Sequence, residues 1–111
     1  MSYEYRLVFD DSYLMQCVIG SLKSSEACIK VEGREIYLKD QLLQSVAQYD
    51  VKLTLEGNLS VWLEVNFRSM GLYDLFQKAL GGGGVKCYED GDVNDEVSLK
   101  EVFRIKGGRQ I

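Results

Sequence analysis

Apolar and polar residues alternate along two parts of this chain in the way half-buried strands require. Residues 50–67 read DVKLTLEGNLSVWLEVNF. Val51, Leu53 and Leu55 fall on one side of the first run, and Val61, Leu63, Val65 and Phe67 on one side of the second. The two runs predict a central antiparallel hairpin. Residues opposite each other in such a pair share a face. A two-residue Gly57-Asn58 loop would set Leu55 against Ser60 and split the apolar sets between faces. Pairing Leu55 with Val61 sets Leu53 against Leu63 and Val51 against Val65, and on the other face Lys52 against Glu64 and Thr54 against Trp62. The sequence therefore predicts an odd-length loop or a bulge, with Trp62 on the polar face.

Residues 3–9 alternate too, with Tyr3, Tyr5, Leu7 and Phe9 on one side and Glu4, Arg6 and Val8 on the other. Asp10, Asp11 and Ser12 supply N-cap chemistry for a helix to about Lys23, with Leu14, Cys17, Val18 and Leu22 inward. Ser24-Ser25 breaks it. Residues 27–40 predict a second hairpin with a two-residue Gly33-Arg34 turn, Val31 opposite Ile36 and Ile29 opposite Leu38. Asp40 is placed to cap a short helix to Tyr49, with Leu42, Leu43 and Val46 inward; an extended strand is the alternative. Ser69 opens a helix from Met70 to Leu80, and Gly81–Gly84 ends it. A strand over residues 85–88 leads to an acidic loop over 89–96. Ser98 with Glu101 forms a capping-box pattern for a short helix to about Ile105, and residues 106–111 read as a frayed tail. The expected fold class is α+β: a single two-layer domain over residues 1–111, its mostly antiparallel sheet covered by helices on one face. A ferredoxin-like split unit with an inserted hairpin fits the element order.

Composition narrows the chemistry. At 111 residues, 46% hydrophobic and 27% charged, the chain reads as one ordinary globular domain. It has no histidine, so the commonest general base and zinc ligand are missing. Cys17, Cys28 and Cys87 are odd in number and lack a C-x-x-C spacing, which fits reduced thiols. No apolar run reaches membrane-spanning length. The start MSYEYRLVFDD lacks the basic and apolar blocks of a signal peptide, so Met1 is expected to open the mature domain in the cytoplasm. The net charge of −4 disfavours phosphate backbones, argues against a nucleic-acid partner and suits a basic protein.

Three constellations bear on chemistry. Asp90 to Glu101 nearly matches a calcium loop, with oxygen donors at positions one, three, five, nine and twelve. It fails at position six, where Asp95 replaces the glycine of the sharp turn. Partner-facing acidic patch and solvated loop are the other readings. The Gly81–Gly84 run does not fit a phosphate loop, since it follows a helix and precedes a strand. Asp10-Asp11 could pair as catalytic carboxylates, but capping explains both. Trp62 is an interface anchor if the polar sheet face is open, and a core residue if helices cover it.

A small acidic α+β domain that opens with a strand such as YEYRLVF and carries no catalytic set resembles the immunity proteins of bacterial polymorphic-toxin and contact-dependent growth inhibition systems. The resemblance implies a cytoplasmic, non-enzymatic inhibitor, without cofactor or bound metal, that occludes the active site of a cognate toxin, in some cases a nuclease. It transfers no site residue by motif. The partner-binding candidates are physical choices: Trp62 as anchor, with Glu89, Asp90, Asp92, Asp95 and Glu96 as a steering acidic surface. A calcium-binding regulatory module using Asp90–Glu101 is the alternative.

Overall fold

A computed structural model describes residues 2–105 of the chain. Seven strands form one antiparallel sheet: β1 (Tyr3–Phe9), β2 (Cys28–Glu32), β3 (Glu35–Leu38), β4 (Val51–Glu56), β5 (Ser60–Val65), β6 (Val85–Glu89) and β7 (Glu96–Val97). The helices are α1 (Ser12–Ser24), α2 (Met70–Leu80) and the single turn α3 (Leu99–Val102). The spatial order is β2-β3-β4-β5-β1-β6-β7, with every neighbour antiparallel. It follows that β5 and β6, joined through α2, run parallel with β1 between them. Likewise β1 and β4 run parallel with β5 between them. This is the split βαββαβ unit expected from the element order, with β2–β3 as the inserted hairpin and β7 added at the far edge.

The central hairpin has the predicted register: Leu55 faces Val61, Leu53 faces Leu63, Val51 faces Val65, Lys52 faces Glu64 and Thr54 faces Trp62. Glu56 pairs with Ser60, so the loop is the three-residue Gly57-Asn58-Leu59, and Gly57 supplies the left-handed φ of 75°. Tyr5, Leu7, Phe9, Ile36, Leu38, Val51, Leu53, Val61, Leu63, Val65 and Cys87 all bury on one face of the sheet. Above them lie Met15, Val18, Ile19 and Leu22 of α1 and Leu72, Phe76 and Leu80 of α2. The expected α1 stripe is rotated: Met15 and Ile19 point inward, while Cys17 is exposed. Phe103, just past α3, is wholly buried and meets Phe76 at 5.6 Å and Tyr73 at 6.0 Å between ring centroids.

The caps are those the sequence specifies. Asp11 accepts from the Leu14 amide and Ser69 Oγ from the Leu72 amide. Ser98 and Glu101 complete a reciprocal capping box. Gly81 closes α2 with φ 56°. Asp10 Oδ2 accepts the Gly84 amide at 3.0 Å. Both members of the Asp10-Asp11 pair thus bond to backbone amides.

Two local expectations fail. Ile29 does not face Leu38: a bulge between Cys28 and Lys30 gives Leu38 to Cys28, although Val31 does face Ile36. More instructive is the segment before β4, which is neither helix nor strand but a series of turns. Its polar groups bond sideways instead of along a helix. Asp40 Oδ1 accepts the Leu42 amide at 3.0 Å, and its Oδ2 accepts Ser69 Oγ at 2.6 Å. Lys39 Nζ draws in the carbonyls of Ser45 and Ala47 at 3.1 and 2.7 Å. The Asp50 carboxylate, fully buried, accepts the Asp40 amide at 2.8 Å and the Ser45 hydroxyl. Gln44 sits at φ 52°. Each of these competes with the i to i−4 ladder. As a result Leu42 and Val46 are 94% and 100% exposed instead of inward.

Asp50→Ala should strand the Asp40 amide and the Ser45 hydroxyl, costing about 1–3 kcal/mol in a urea titration. Val46→Ala, in the same segment, should change stability by less than about 0.5 kcal/mol. Burial pushes the Cys87 thiol up to about 12, so it holds almost no thiolate at neutral pH. A maleimide at pH 7.5 should label Cys17 in the native protein and Cys87 only after denaturation, read by mass spectrometry.

Candidate functional site: the uncovered sheet face

Among the described residues all three helices lie on one side, so no helix covers the other side of the sheet. Trp62 stands on it, between Thr54 on one flanking strand and Arg6 on the other. The reading in which helices cover Trp62 is thereby excluded. The indole is half-buried by its neighbours on the same face. Its Nε1 donates to Glu4 Oε1 at 3.0 Å, and the Arg6 guanidinium lies 5.2 Å from the ring centroid. Arg6 is held there by Glu56, which accepts from Nε at 2.9 Å and from the second guanidinium nitrogen at 3.2 Å. This fork holds the Glu56 carboxyl below its ordinary value and raises Arg6.

The acidic loop closes on the same place. Asp90 donates its amide to the Glu4 carbonyl at 2.9 Å, and Asp90 and Gly91 take φ values of 53° and 76°. This turn brings the Gly91 backbone onto the Trp62–Arg6 stack: a Cβ at Gly91 would lie 3.0 Å from Trp62 Cζ3 and 2.9 Å from an Arg6 guanidinium nitrogen. Trp62, Asp90 and its loop are thus neighbours, and Glu96, opposite Tyr88, shares the open face. Glu89 does not join them. It pairs with Tyr5, whose side chain points into the helix layer, so Glu89 faces the same way. Its charge bears on Tyr5 and Arg104 there. Period two separates Glu89 from the rest of the acidic set.

Several residues of the face were not among the sequence candidates, though the alternation placed them. Lys52 sits between Glu64 at 3.2 Å and Glu35 at 3.8 Å. Burial pulls Lys52 down, but the Glu64 hydrogen bond and the nearby charges leave it raised. Tyr37 donates to Glu35 at 2.6 Å and meets Tyr49 edge-on at 5.1 Å. The registers put Glu4, Glu32, Glu35, Glu56, Glu64 and Glu96 on this side, with Arg6, Lys30, Lys52 and Lys86. Asp90, Asp92 and Asp95 lie in the turn between β6 and β7 that adjoins it. The chain has 17 carboxylates and 13 cations. Nine carboxylates and four cations belong to this face and the adjoining β6–β7 turn, and the other described residues carry eight carboxylates and seven cations. Most of the negative excess of the described residues therefore lies on the uncovered side.

The near-match to a calcium loop is put to other uses. Its ninth and twelfth donors, Ser98 and Glu101, bond to each other's backbone in the capping box. Asp92 Oδ1 accepts the Asn94 amide at 2.9 Å, and Glu96 enters a strand. Among the described residues no group of three or more Cys, Asp or Glu side chains gathers where it could hold an ion. No helix among them is long and apolar enough to cross a membrane.

The Arg6–Glu56 fork makes stability pH-dependent with a definite sign. A carboxyl lowered in the folded state stabilises the fold above its unfolded value and loses that contribution as pH falls through the folded one. Replacing Glu56 by Gln should therefore narrow the stability gap between variant and parent as pH falls from 7 to about 3, read by thermal melts across pH. A gap independent of pH would contradict this. Comparison with protein-family models, curated proteins and solved structures returned no match to the chain.

Proposed function

We propose that this chain is a non-catalytic binding protein whose open sheet face takes a basic protein partner. The observation that carries the reading is the coincidence of an uncovered, Trp-centred face with most of the negative excess of the described residues. Large aromatic side chains ringed by polar contacts anchor interfaces, and a field of one sign steers a partner of the other. The same surface supports the immunity-protein resemblance. A nuclease must present cations where it grips phosphate. An acidic face of this kind complements such a cleft and would neutralise a toxin in the bacterial cytoplasm by occlusion. Trp62 is the anchor in this reading. Asp90, Asp92, Asp95 and Glu96 steer, and Glu89, on the other side, contributes only to the long-range field.

Affinity capture from a lysate of the encoding organism, at low and high salt, tests it. One basic protein should be retained by the parent and lost with Trp62→Ala. With that partner in hand, Trp62→Ala should weaken binding by about 2 kcal/mol, roughly thirtyfold. Asp90→Asn with Asp92→Asn and Asp95→Asn should slow association by about tenfold at low salt and flatten its salt dependence. Retention of nothing, or equal retention by the Trp62→Ala protein, would overturn the reading.

A further inference from the structure

The sheet ends at β2, and among the described residues nothing pairs with its outer edge. We propose that this edge joins a second copy of the chain, β2 to β2 antiparallel, about a twofold axis through Val31.

Backbone geometry supplies the first argument. The Leu55 amide donates to the Arg34 carbonyl at 2.9 Å. Alternation then commits the polar backbone groups of Ile36 to β4 and makes Ile36–Val31 a non-hydrogen-bonded pair of the β2–β3 hairpin. The amide and carbonyl of Val31 consequently point away from the sheet, ready for one more strand. The Val31 side chain, on the helix-covered side, is 47% exposed. A copy across the axis would cover it with its own image.

Charge selects the register. Paired strands must keep their faces matched, so a twofold axis can pass through Lys30, Val31 or Glu32 of the regular stretch. An axis through Lys30 opposes two ammonium groups, and one through Glu32 opposes two carboxylates, both unfavourable. An axis through Val31 sets Lys30 against Glu32 of the other copy, twice, on the open face. Within one chain these two side chains already attract at 3.2 Å. The bulge at Ile29 ends the regular stretch, which confines pairing to Lys30–Glu32 and prevents sliding. Edge charges and bulges usually block strand addition; here they block every register but one. The other edge, β7, has two residues and offers no comparable ladder. Joining the sheets this way sets two open faces side by side, so that a dimer presents two Trp62-centred surfaces on one side. The contact is short, and the equilibrium it predicts is weak and concentration-dependent.

Sedimentation of the full chain from about 1 µM to 1 mM should show reversible dimerisation. Lys30→Glu, which opposes carboxylates across both outer pairs, should raise the dissociation constant by at least about tenfold. Combining it with Glu32→Lys exchanges the two charges and should restore the parent value. Circular dichroism of each variant checks the fold. Val31→Cys, with Cys17 and Cys28 replaced by Ser, should cross-link to itself under mild oxidation, since paired Cα atoms lie about 5.5 Å apart. A monomer at every concentration, or a double variant no better than the single one, would overturn the proposal.

Discussion

The register between β4 and β5 is the constraint on which the rest of the molecule depends. Side chains in a strand alternate, so a slip of one residue exchanges the faces of a whole strand. With Leu55 against Val61, the aliphatic residues of the two strands meet the helices, and the charged ones, with Trp62, turn away. A slip would carry Trp62 and Glu64 under α1 and α2 and put Leu63 and Val65 in water. The three-residue loop, with Gly57 in the left-handed region, fixes the count. Core and open face are two consequences of a single pairing choice.

That choice was legible in the sequence because one pattern had to satisfy both faces at once. The same held for residues 3–9, where alternation sorted Tyr5, Leu7 and Phe9, which bury, from Glu4, Arg6 and Val8, although Tyr3 on the first side is exposed, and for the Ser69, Ser98 and Gly81 helix ends, where capping chemistry is local. The segment before β4 was illegible for the opposite reason. Leu42, Leu43 and Val46 have helical spacing, but the outcome is set by Lys39, Asp40 and Asp50, whose partners include Ser69, 29 residues from Asp40 along the chain. A propensity argument sees neighbours in sequence and cannot weigh such a partner. The bulge at Ile29 is similar: nothing in CIKVE announces where the extra residue goes.

The candidate site divides along the same line. The register placed Trp62 on the polar face and composition singled out the acidic loop, but neither showed that the two adjoin. What composition could not show is that Glu89 belongs to the other side while Glu96 returns to this one. Nor could it show that most of the described negative excess gathers on one surface. Seven of that surface's thirteen charges are already paired: Arg6 with Glu56, Lys52 with Glu64 and Glu35, and Lys30 with Glu32. A partner would meet a preorganised lattice of side chains with a surplus of carboxylates, and little conformational freedom would be lost on docking.

The position of Trp62 has an optical consequence. It is the only tryptophan in the chain, and it lies outside the core, under the Gly91 backbone and against a guanidinium. Its emission therefore reports on the open face and on the seating of the β6–β7 turn, and says little about the packing of helices on sheet. Changes at that face should register in intrinsic fluorescence without any change in the fold. Conversely, a melt followed by tryptophan alone would mistake release of one turn for loss of the whole structure, unless a backbone signal is read beside it.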